Sequence, residues 1–339
     1  MISNRPTFLA FALAIALLFR FGSALSATFS LPPAGTDIVG EIKVVRVKGG
    51  DTLLDIARLY GLGYGEITAA NPGVDPWVPG DGTQVVLPTQ FILPSGPRRG
   101  LVLNLAQLRL FYFPMPARGK PAQVITHPVG IGTDYASTPL GETRIVRKAT
   151  NPVWRPSRDI REEHVADGHW LAAEVPPGPE NPLGKFALYL ALKGNYLIHG
   201  TNKPWGVGMR VSHGCIRLYP EGIESLYSHV PVGTEVRVVD ERPLVGMRGG
   251  TLYLQAYPSQ EKRLAGGENE NLTPHVEAIL RRVPRGQAVD WSKSMELLRN
   301  ARALPVPITP GSPGIEEVIE EAVRASQEAP GAASPIQGE

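Results

Sequence analysis

The sequence predicts a mainly β protein with a small strand–helix–helix–strand unit near its N-terminus and a partly helical C-terminal stretch. Three observations carry this. Short apolar or alternating runs recur between turn signals from residue 101 to 239, the pattern of a sandwich or barrel rather than a βαβ fold. Glycine (37 residues) and proline (33) are both abundant, which favours turns and short strands over long helices. Helical spacing is clear only over 53–60, 66–70, 220–229 and beyond 273.

At the N-terminus, Arg5 precedes an almost unbroken apolar stretch, Phe8–Phe19. Ser23-Ala24-Leu25-Ser26-Ala27 follows, with Ala24 and Ser26 suited to the −3 and −1 positions of a cleavage site. As a helix the apolar stretch rises only about 18 Å, short of a hydrocarbon core of about 30 Å. Residues 1–26 therefore read as an export signal, leaving no stable membrane span after cleavage; extended through Leu25, the segment is an uncleaved anchor instead. Either way the rest of the chain works outside the cytoplasm. Residues 1–26 hold Arg5, Arg20 and no acids; without them, 32 basic residues face 32 acidic ones. A neutral chain has no long-range field for a polyanion, so nucleic acid is excluded as a partner class. One cysteine, Cys215, makes an internal disulfide impossible. Apolar neighbours would mark it as an inert buried thiol, but its neighbours are polar and charged.

After a spacer over 31–40, Ile42–Val47 alternates like a strand. Gly49-Gly50-Asp51-Thr52 turns the chain, and Asp51 or Thr52 can cap a helix carrying Leu53, Leu54, Ile56, Ala57 and Tyr60. A second short helix over 66–70 ends at Asn71-Pro72-Gly73, and Val85-Val86-Leu87-Pro88 closes the unit. This stretch resembles the LysM module, on Val47 to Leu53, Ile56-Ala57, Ile67, Ala70-Asn71-Pro72 and Gln84 to Pro88. The resemblance implies that residues 42–88 bind glycan strands of peptidoglycan, with Gly49, Asp51, Thr52, Asn71 and Pro72 as contacts. As plain local structure, Asp51 and Asn71 are a cap and a turn former. Such a module is expected to be compact by itself and dispensable for chemistry elsewhere.

Strand-like segments then follow at 101–105, 108–113, 123–129, 143–148, 187–191, 196–199 and 235–239, the first two forming a hairpin around Ala106-Gln107. In this region only Pro220–His229 has clear helical character. From 241 the chain reads as a C-terminal extension to 328: one strand (251–256), a helix opened by Thr273-Pro274, and helical stretches over 292–301 and 316–326. Residues 329–339 read as a disordered tail.

The chemistry concentrates at 199–217. A catalytic thiol needs a base or a cation nearby, because an ordinary cysteine is only a few per cent ionised at neutral pH. His199 ends an apolar strand, and the polar loop Gly200–Gly208 is long enough to bring it beside Cys215. His213 and Cys215 are two apart and share a face on an extended strand, while Gly214 permits a bend. Arg217 adds positive charge if it points the same way.

His199-Gly200 followed by Ser212-His213-Gly214-Cys215-Ile216-Arg217-Leu218 is similar to the signature of YkuD-type L,D-transpeptidases. Further matches are Ser137 to Glu142, Asn151 to Pro156, Ile160 to Glu163 and Pro176 to Gly184, and the likeness over about 99–258 is greatest to periplasmic enzymes of Gram-negative bacteria. The resemblance implies a periplasmic protein with a YkuD-like β-sandwich catalytic domain at 99–240, beside the βααβ LysM module and the partly helical extension. It implies Cys215 as nucleophile, His199 as general base oriented by the Gly200 carbonyl, and His213 as a second imidazole in the pocket. The N–H groups of Gly214 and Cys215 are natural oxyanion donors. Arg217 either holds a substrate carboxylate or braces the turn. Ser212 either meets substrate or satisfies local backbone. Trp205, in the loop between His199 and Cys215, lines a stem-peptide groove as part of a lid.

The implied reaction is attack of Cys215 on the meso-diaminopimelate carbonyl of a tetrapeptide stem, loss of D-alanine, and transfer of the acyl group from the thioester to an amine. Acceptors are another stem, giving a 3→3 cross-link, or a lysine of an envelope lipoprotein; water as acceptor makes the enzyme an L,D-carboxypeptidase. A hydrolase releasing protein from peptidoglycan, and a non-catalytic wall-binding protein, are the competing readings. No cofactor is implied. No metal is expected either, since His-x-Cys with one distant histidine lacks the paired spacing of zinc sites.

Overall fold

The computed structural model describes residues 27–259 and 271–328. The export signal expected at 1–26 and the tail expected at 329–339 lie outside them. In chain order, β1 (Ala27–Ser30) and β2 (Ile38–Gly40) precede β3 (Lys43–Arg46), α1 (Leu53–Leu59), α2 (Tyr64–Ala70) and β4 (Gln84–Leu87). Next come β5 (Gln90–Ile92), β6 (Gly100–Asn104), β7 (Arg109–Phe113), β8 (Gln123–Pro128), β9 (Ile131–Gly132) and β10 (Gly141–Thr150). Then follow α3 (Arg158–Ala166), β11 (Phe186–Leu190), β12 (Leu197–His199), β13 (Arg210–Ser212), β14 (Ile216–Arg217), α4 (Pro220–His229) and β15 (Glu235–Val239). The chain ends with β16 (Leu244–Arg248), β17 (Thr251–Gln255), α5 (Thr273–Arg282), α6 (Trp291–Asn300), β18 (Pro305–Pro307) and α7 (Ile315–Glu328). No helix among the described residues is long and apolar enough to cross a membrane.

One nine-stranded sheet, ordered β1-β8-β7-β6-β15-β10-β11-β12-β14, dominates the molecule. Only β6/β15 and β12/β14 pair in parallel; the other pairs are antiparallel. The sheet curls on itself. Leu101, Leu103 and Leu110 from one half and Ile145, Leu188, Ile198 and Ile216 from the other meet in a single cluster with Ile223 and Leu226 of α4. Strand β7 is buried along its whole length because its second face is covered as well. There Phe111 and Phe113 pack with Val102 and Val124 against Leu53, Ile56, Leu62, Ile67 and Leu87 of the N-terminal unit.

That N-terminal unit has the expected strand, helix, helix, strand order, with β3 and β4 antiparallel. Thr52, not Asp51, caps α1: its Oγ1 accepts from Asp55 N, while Asp55 Oδ2 accepts from Thr52 N. The unit is not the separable module that its length suggested, because it shares a core with β6 and β7. It also shares an ion pair. The Arg109 side chain of β7 is wholly buried; its Nε and Nη2 donate to Glu66 of α2 at 2.7 and 2.6 Å. Nη2 donates further to Gly61 O, Nη1 to Thr126 Oγ1, and the guanidinium lies 4.1 Å from the centre of the Phe91 ring. Arg58 of α1 makes a second two-pronged pair, with Glu221 of α4.

The C-terminal extension is folded into the same body. Strands β16, β17 and β18 form an antiparallel sheet. Leu252, Leu254 and Val306 from it, with Ile279, Leu298 and Ala322 from α5 to α7, pack against Val44, Ala70 and Val86 of the N-terminal unit. Buried Gln255 accepts from Ile92 N and donates to Ala303 O. Ser326 of α7 accepts from Val44 N, giving one edge group of β3 a partner. Several elements were not read from the sequence, among them the short strands β1, β2, β5, β9 and β16, helix α3 and strand β18. Helix α3, inside the region expected to hold only one helix, buries no side chain and so has no apolar stripe to read. Strand β18 contains two prolines, which argue against a strand unless it lies at an edge, as it does here.

Removing the Glu66 carboxylate leaves a buried, uncompensated guanidinium. Glu66→Ala is expected to lower unfolding stability by about 3–5 kcal/mol in urea titrations. Deleting residues 42–88 is expected to abolish soluble expression rather than yield an active remainder, as read by a sedimentation assay.

Candidate active site

Strand β12 pairs in parallel with β14, setting Ile198 opposite Ile216 and His199 opposite Arg217. Both isoleucines point into the core. Side chains alternate along a strand, so His199 and Arg217 share the other face; Cys215 directly precedes β14, with the Leu197 backbone and Arg217 acting on its thiol. The registry follows from burial of the isoleucines. A one-residue slip would put the histidine and arginine into the core instead.

His199 is buried, and its Nδ1 lies 2.6 Å from Gly200 O. A carbonyl only accepts, so Nδ1 carries the proton and Nε2 keeps a free lone pair. Burial first, and the Arg217 cation second, push this imidazole down to about 3, against the opposing carbonyls of Gly200 and Leu183. Cys215 is a free, partly buried thiol. Burial raises its pKa, while the Leu197 backbone and Arg217 act the other way. Burial thus disfavours the charged form of both the thiol and the imidazole. Arg217 is itself held below the ordinary guanidinium value, mainly by burial. Its Nε is buried with no hydrogen-bond partner.

The nucleophile segment is not an extended strand throughout. Gly214 has φ +97°, and a Cβ there would lie 2.5 Å from Tyr196 Cε1, so β13 and β14 are separated by a bend that requires glycine. The expectation that His213 and Cys215 share one strand face fails for that reason. His213 is exposed, with Nε2 2.5 Å from Glu163 Oε2 on α3. Ser212 is buried and its Oγ donates to Cys215 O at 2.5 Å, so its hydroxyl is committed to local backbone rather than free for substrate. Trp205 sits 55% exposed on a 3₁₀ turn, Pro204–Gly206. The base of that loop is fixed from outside, since Tyr64 N donates to Val207 O and Gly65 N to Gly208 O. Gly63 and Gly208 touch so closely that a Cβ on Gly208 would lie 2.5 Å from Gly63 Cα.

The sequence profile of the L,D-transpeptidase catalytic domain (YkuD) matches residues 98–238, and that of the LysM domain matches residues 45–76. The chain is 38% identical over 306 residues to the probable L,D-transpeptidase ErfK/SrfK of Salmonella typhimurium, covering 89% of this chain and 96% of that relative. It is 36% identical to the probable L,D-transpeptidase YbiS of Escherichia coli K12, over 87% of this chain and 96% of the relative. It is also 44% identical to YcfS of the same organism, over 69% and 72%. This chain belongs to the L,D-transpeptidase family. With it comes a LysM domain whose surface differs from the sequence expectation.

In this transpeptidase Asn71 is buried: Nδ2 donates to Ile67 O and Val86 O, and Oδ1 accepts from Val86 N. Every polar position of that amide is used by the fold, which removes Asn71 as a glycan contact. Gly49 and Pro72 are exposed, Asp51 and Thr52 partly so, and Thr52 is occupied as the cap. Sequence reasoning passed over Trp77, 57% exposed, next to Val78 at 76%. Asp75 Oδ1 accepts from the N–H groups of both, and Leu53 N donates to Pro76 O, which joins this loop to the start of α1. An exposed tryptophan beside a valine was the available signal. Among the described residues no three His, Cys, Asp or Glu side chains converge as a metal site would require.

His127 resembles His199 in being buried and held down to about 3, chiefly by burial and then by Arg109 and His229. In the unfolded chain both histidines titrate near their ordinary value of 6.5. Below that pH the unfolded state takes up protons that the folded state refuses. Stability is therefore intact above about pH 6.5 and falls as pH drops towards about 3, by up to about 1.4 kcal/mol per pH unit for each histidine. Urea titrations from pH 7 to 4 should show this decline. His127→Leu, which removes one of the two groups, should make it shallower.

Proposed function

We propose that this chain is an exported L,D-transpeptidase of the periplasm in which residues 99–240 carry out acyl transfer on peptidoglycan stems and residues 42–88 hold the glycan. Its nucleophile is Cys215 and its general base is His199. The observation that supports this reading is the pairing of β12 with β14, which sets His199 beside Arg217, two residues from Cys215, with the His199 tautomer fixed by Gly200 O. The single thiol has its imidazole neutral and ready to accept a proton.

In this mechanism the stem carbonyl of meso-diaminopimelate meets the Cys215 sulfur as the thiol proton passes to His199 Nε2. The N–H groups of Gly214 and Cys215 hold the oxyanion. Collapse breaks the peptide C–N bond, His199 returns the proton to the leaving D-alanine amine, and the thioester remains. An acceptor amine then attacks and releases the sulfur. Arg217 has no ion-pair partner among the described residues, so a substrate carboxylate supplies the missing one. That carboxylate also offsets one of the two effects depressing His199, making the base stronger once substrate is seated. His213, turned towards Glu163, acts through α3 rather than on the sulfur. On the LysM side, the sugar face rests on Trp77 and Val78, beside Gly49, Asp51 and Pro72.

Cys215→Ala is expected to remain folded and to lose the covalent carbapenem adduct seen by mass spectrometry on the wild type; an adduct on the variant would sink the nucleophile assignment. His199→Ala should slow acylation at least about 100-fold, and His213→Ala less than about tenfold. Muropeptide analysis after incubation with purified enzyme identifies the acceptor. Dimers mean a stem amine, tripeptides mean water, and muropeptide-linked protein means an envelope lipoprotein lysine; loss of linked protein means a releasing hydrolase. Trp77→Ala should cut retention on isolated sacculi several-fold without changing carbapenem acylation.

A further inference from the structure

We propose that Thr138 is a positioning residue for the oxyanion site, acting through the Gly214–Cys215 peptide; this rests on the reading of Cys215 and its amide given above. Thr138 lies in the loop between β9 and β10, far from the nucleophile in sequence, and is almost fully buried. Its Oγ1 accepts from Gly132 N at 3.2 Å and donates to Gly214 O at 2.9 Å. One hydroxyl thus bridges two backbone segments and uses its proton on the carbonyl that precedes the nucleophile.

Planarity of the peptide bond makes that contact consequential. In a trans peptide the C=O and the following N–H point in opposite directions, so fixing Gly214 O also fixes where Cys215 N–H points. Thr138 holds the carbonyl end, and the amide end is directed away from Thr138. Ser212 Oγ fixes the next peptide plane by donating to Cys215 O. The nucleophile's backbone is therefore clamped on both sides, by two buried hydroxyls from different segments.

The neighbourhood is built to let those segments touch. A Cβ on Gly132 would lie 2.8 Å from Gly214 Cα and 2.2 Å from Ala136 O. Thr133 N donates to Ser212 O, adding a backbone tie beside the hydroxyl bridge. Without the clamp, Gly214, already at φ +97°, has the backbone freedom to rotate its peptide and swing the Cys215 N–H off the oxyanion position. Preorganised donors lose their value when they must be reoriented during the reaction.

The test separates oxyanion stabilisation from thiol reactivity. Carbapenem acylation of Cys215 passes through a tetrahedral oxyanion, whereas alkylation by iodoacetamide is a direct displacement at carbon and does not. Thr138→Val, which removes the hydroxyl at nearly constant volume, should slow carbapenem acylation at least about tenfold and leave iodoacetamide alkylation within about twofold of wild type. Thr138→Ser, which keeps the hydroxyl, should restore acylation. Thr138→Ala replaces the valine variant should that one fail to fold. Unchanged acylation in the hydroxyl-free variant, or an equal loss in both reactions, overturns the proposal. Absence of any wild-type carbapenem adduct overturns the nucleophile reading and this proposal with it, whereas an adduct with an unchanged variant rate removes this proposal alone.

Discussion

The buried pair between Arg109 and Glu66 is the constraint on which the arrangement of this protein depends. A guanidinium with no exposed surface is tolerable only where its donors find acceptors, and Arg109 makes four such bonds, two to Glu66, one to Gly61 O and one to Thr126 Oγ1. Glu66 in turn accepts from Gly63 N at the start of α2. The pair is therefore satisfied only when the LysM helix and strand β7 are docked in one relative position. Apolar contact between Phe111 and the α1/α2 layer supplies adhesion but little orientation. The ion pair, with its fixed fork geometry, supplies the orientation.

Docking in that position reaches the active site. The start of α2 donates two backbone hydrogen bonds to Val207 and Gly208, the end of the loop that carries Trp205. A glycan-binding domain tethered by a flexible linker would concentrate enzyme on its polymer and nothing more. Here the same domain is a wall of the catalytic unit, and the C-terminal extension, packed on its other side, leaves it no freedom to swing. The LysM domain, the catalytic domain and the C-terminal extension thus form one continuously packed body.

Much of this was legible in the sequence, for identifiable reasons. Strands such as Glu235–Val239 and the helix Pro220–His229 carried strong periodicity and clear ends, and both form as read. The His199-Gly200 and Ser212 to Leu218 motifs marked the site because short-range chemistry sits close in the chain. Helix α3 escaped notice because a solvated helix needs no apolar stripe, and β18 because proline is an argument against strands. Asn71 looked like a surface contact because a turn residue with a free amide and a buried one with all its bonds made are spelled alike. Thr138 lay in a matching motif, but its partner Gly214 is 76 residues away, and spacing alone gives no clue to that bond.

By itself the sequence determined many of the local elements, the candidate nucleophile and the family, since these rest on periodicity and on residues adjacent along the chain. Tertiary structure alone decided which groups are buried and which long-range partners they meet. It set the tautomer of His199, the destination of His213 and the loss of Asn71 from the surface. It also fused the three segments into one body. Burial changes the energetic cost of every charge and unsatisfied donor, and burial is a property of packing that no single stretch of sequence contains.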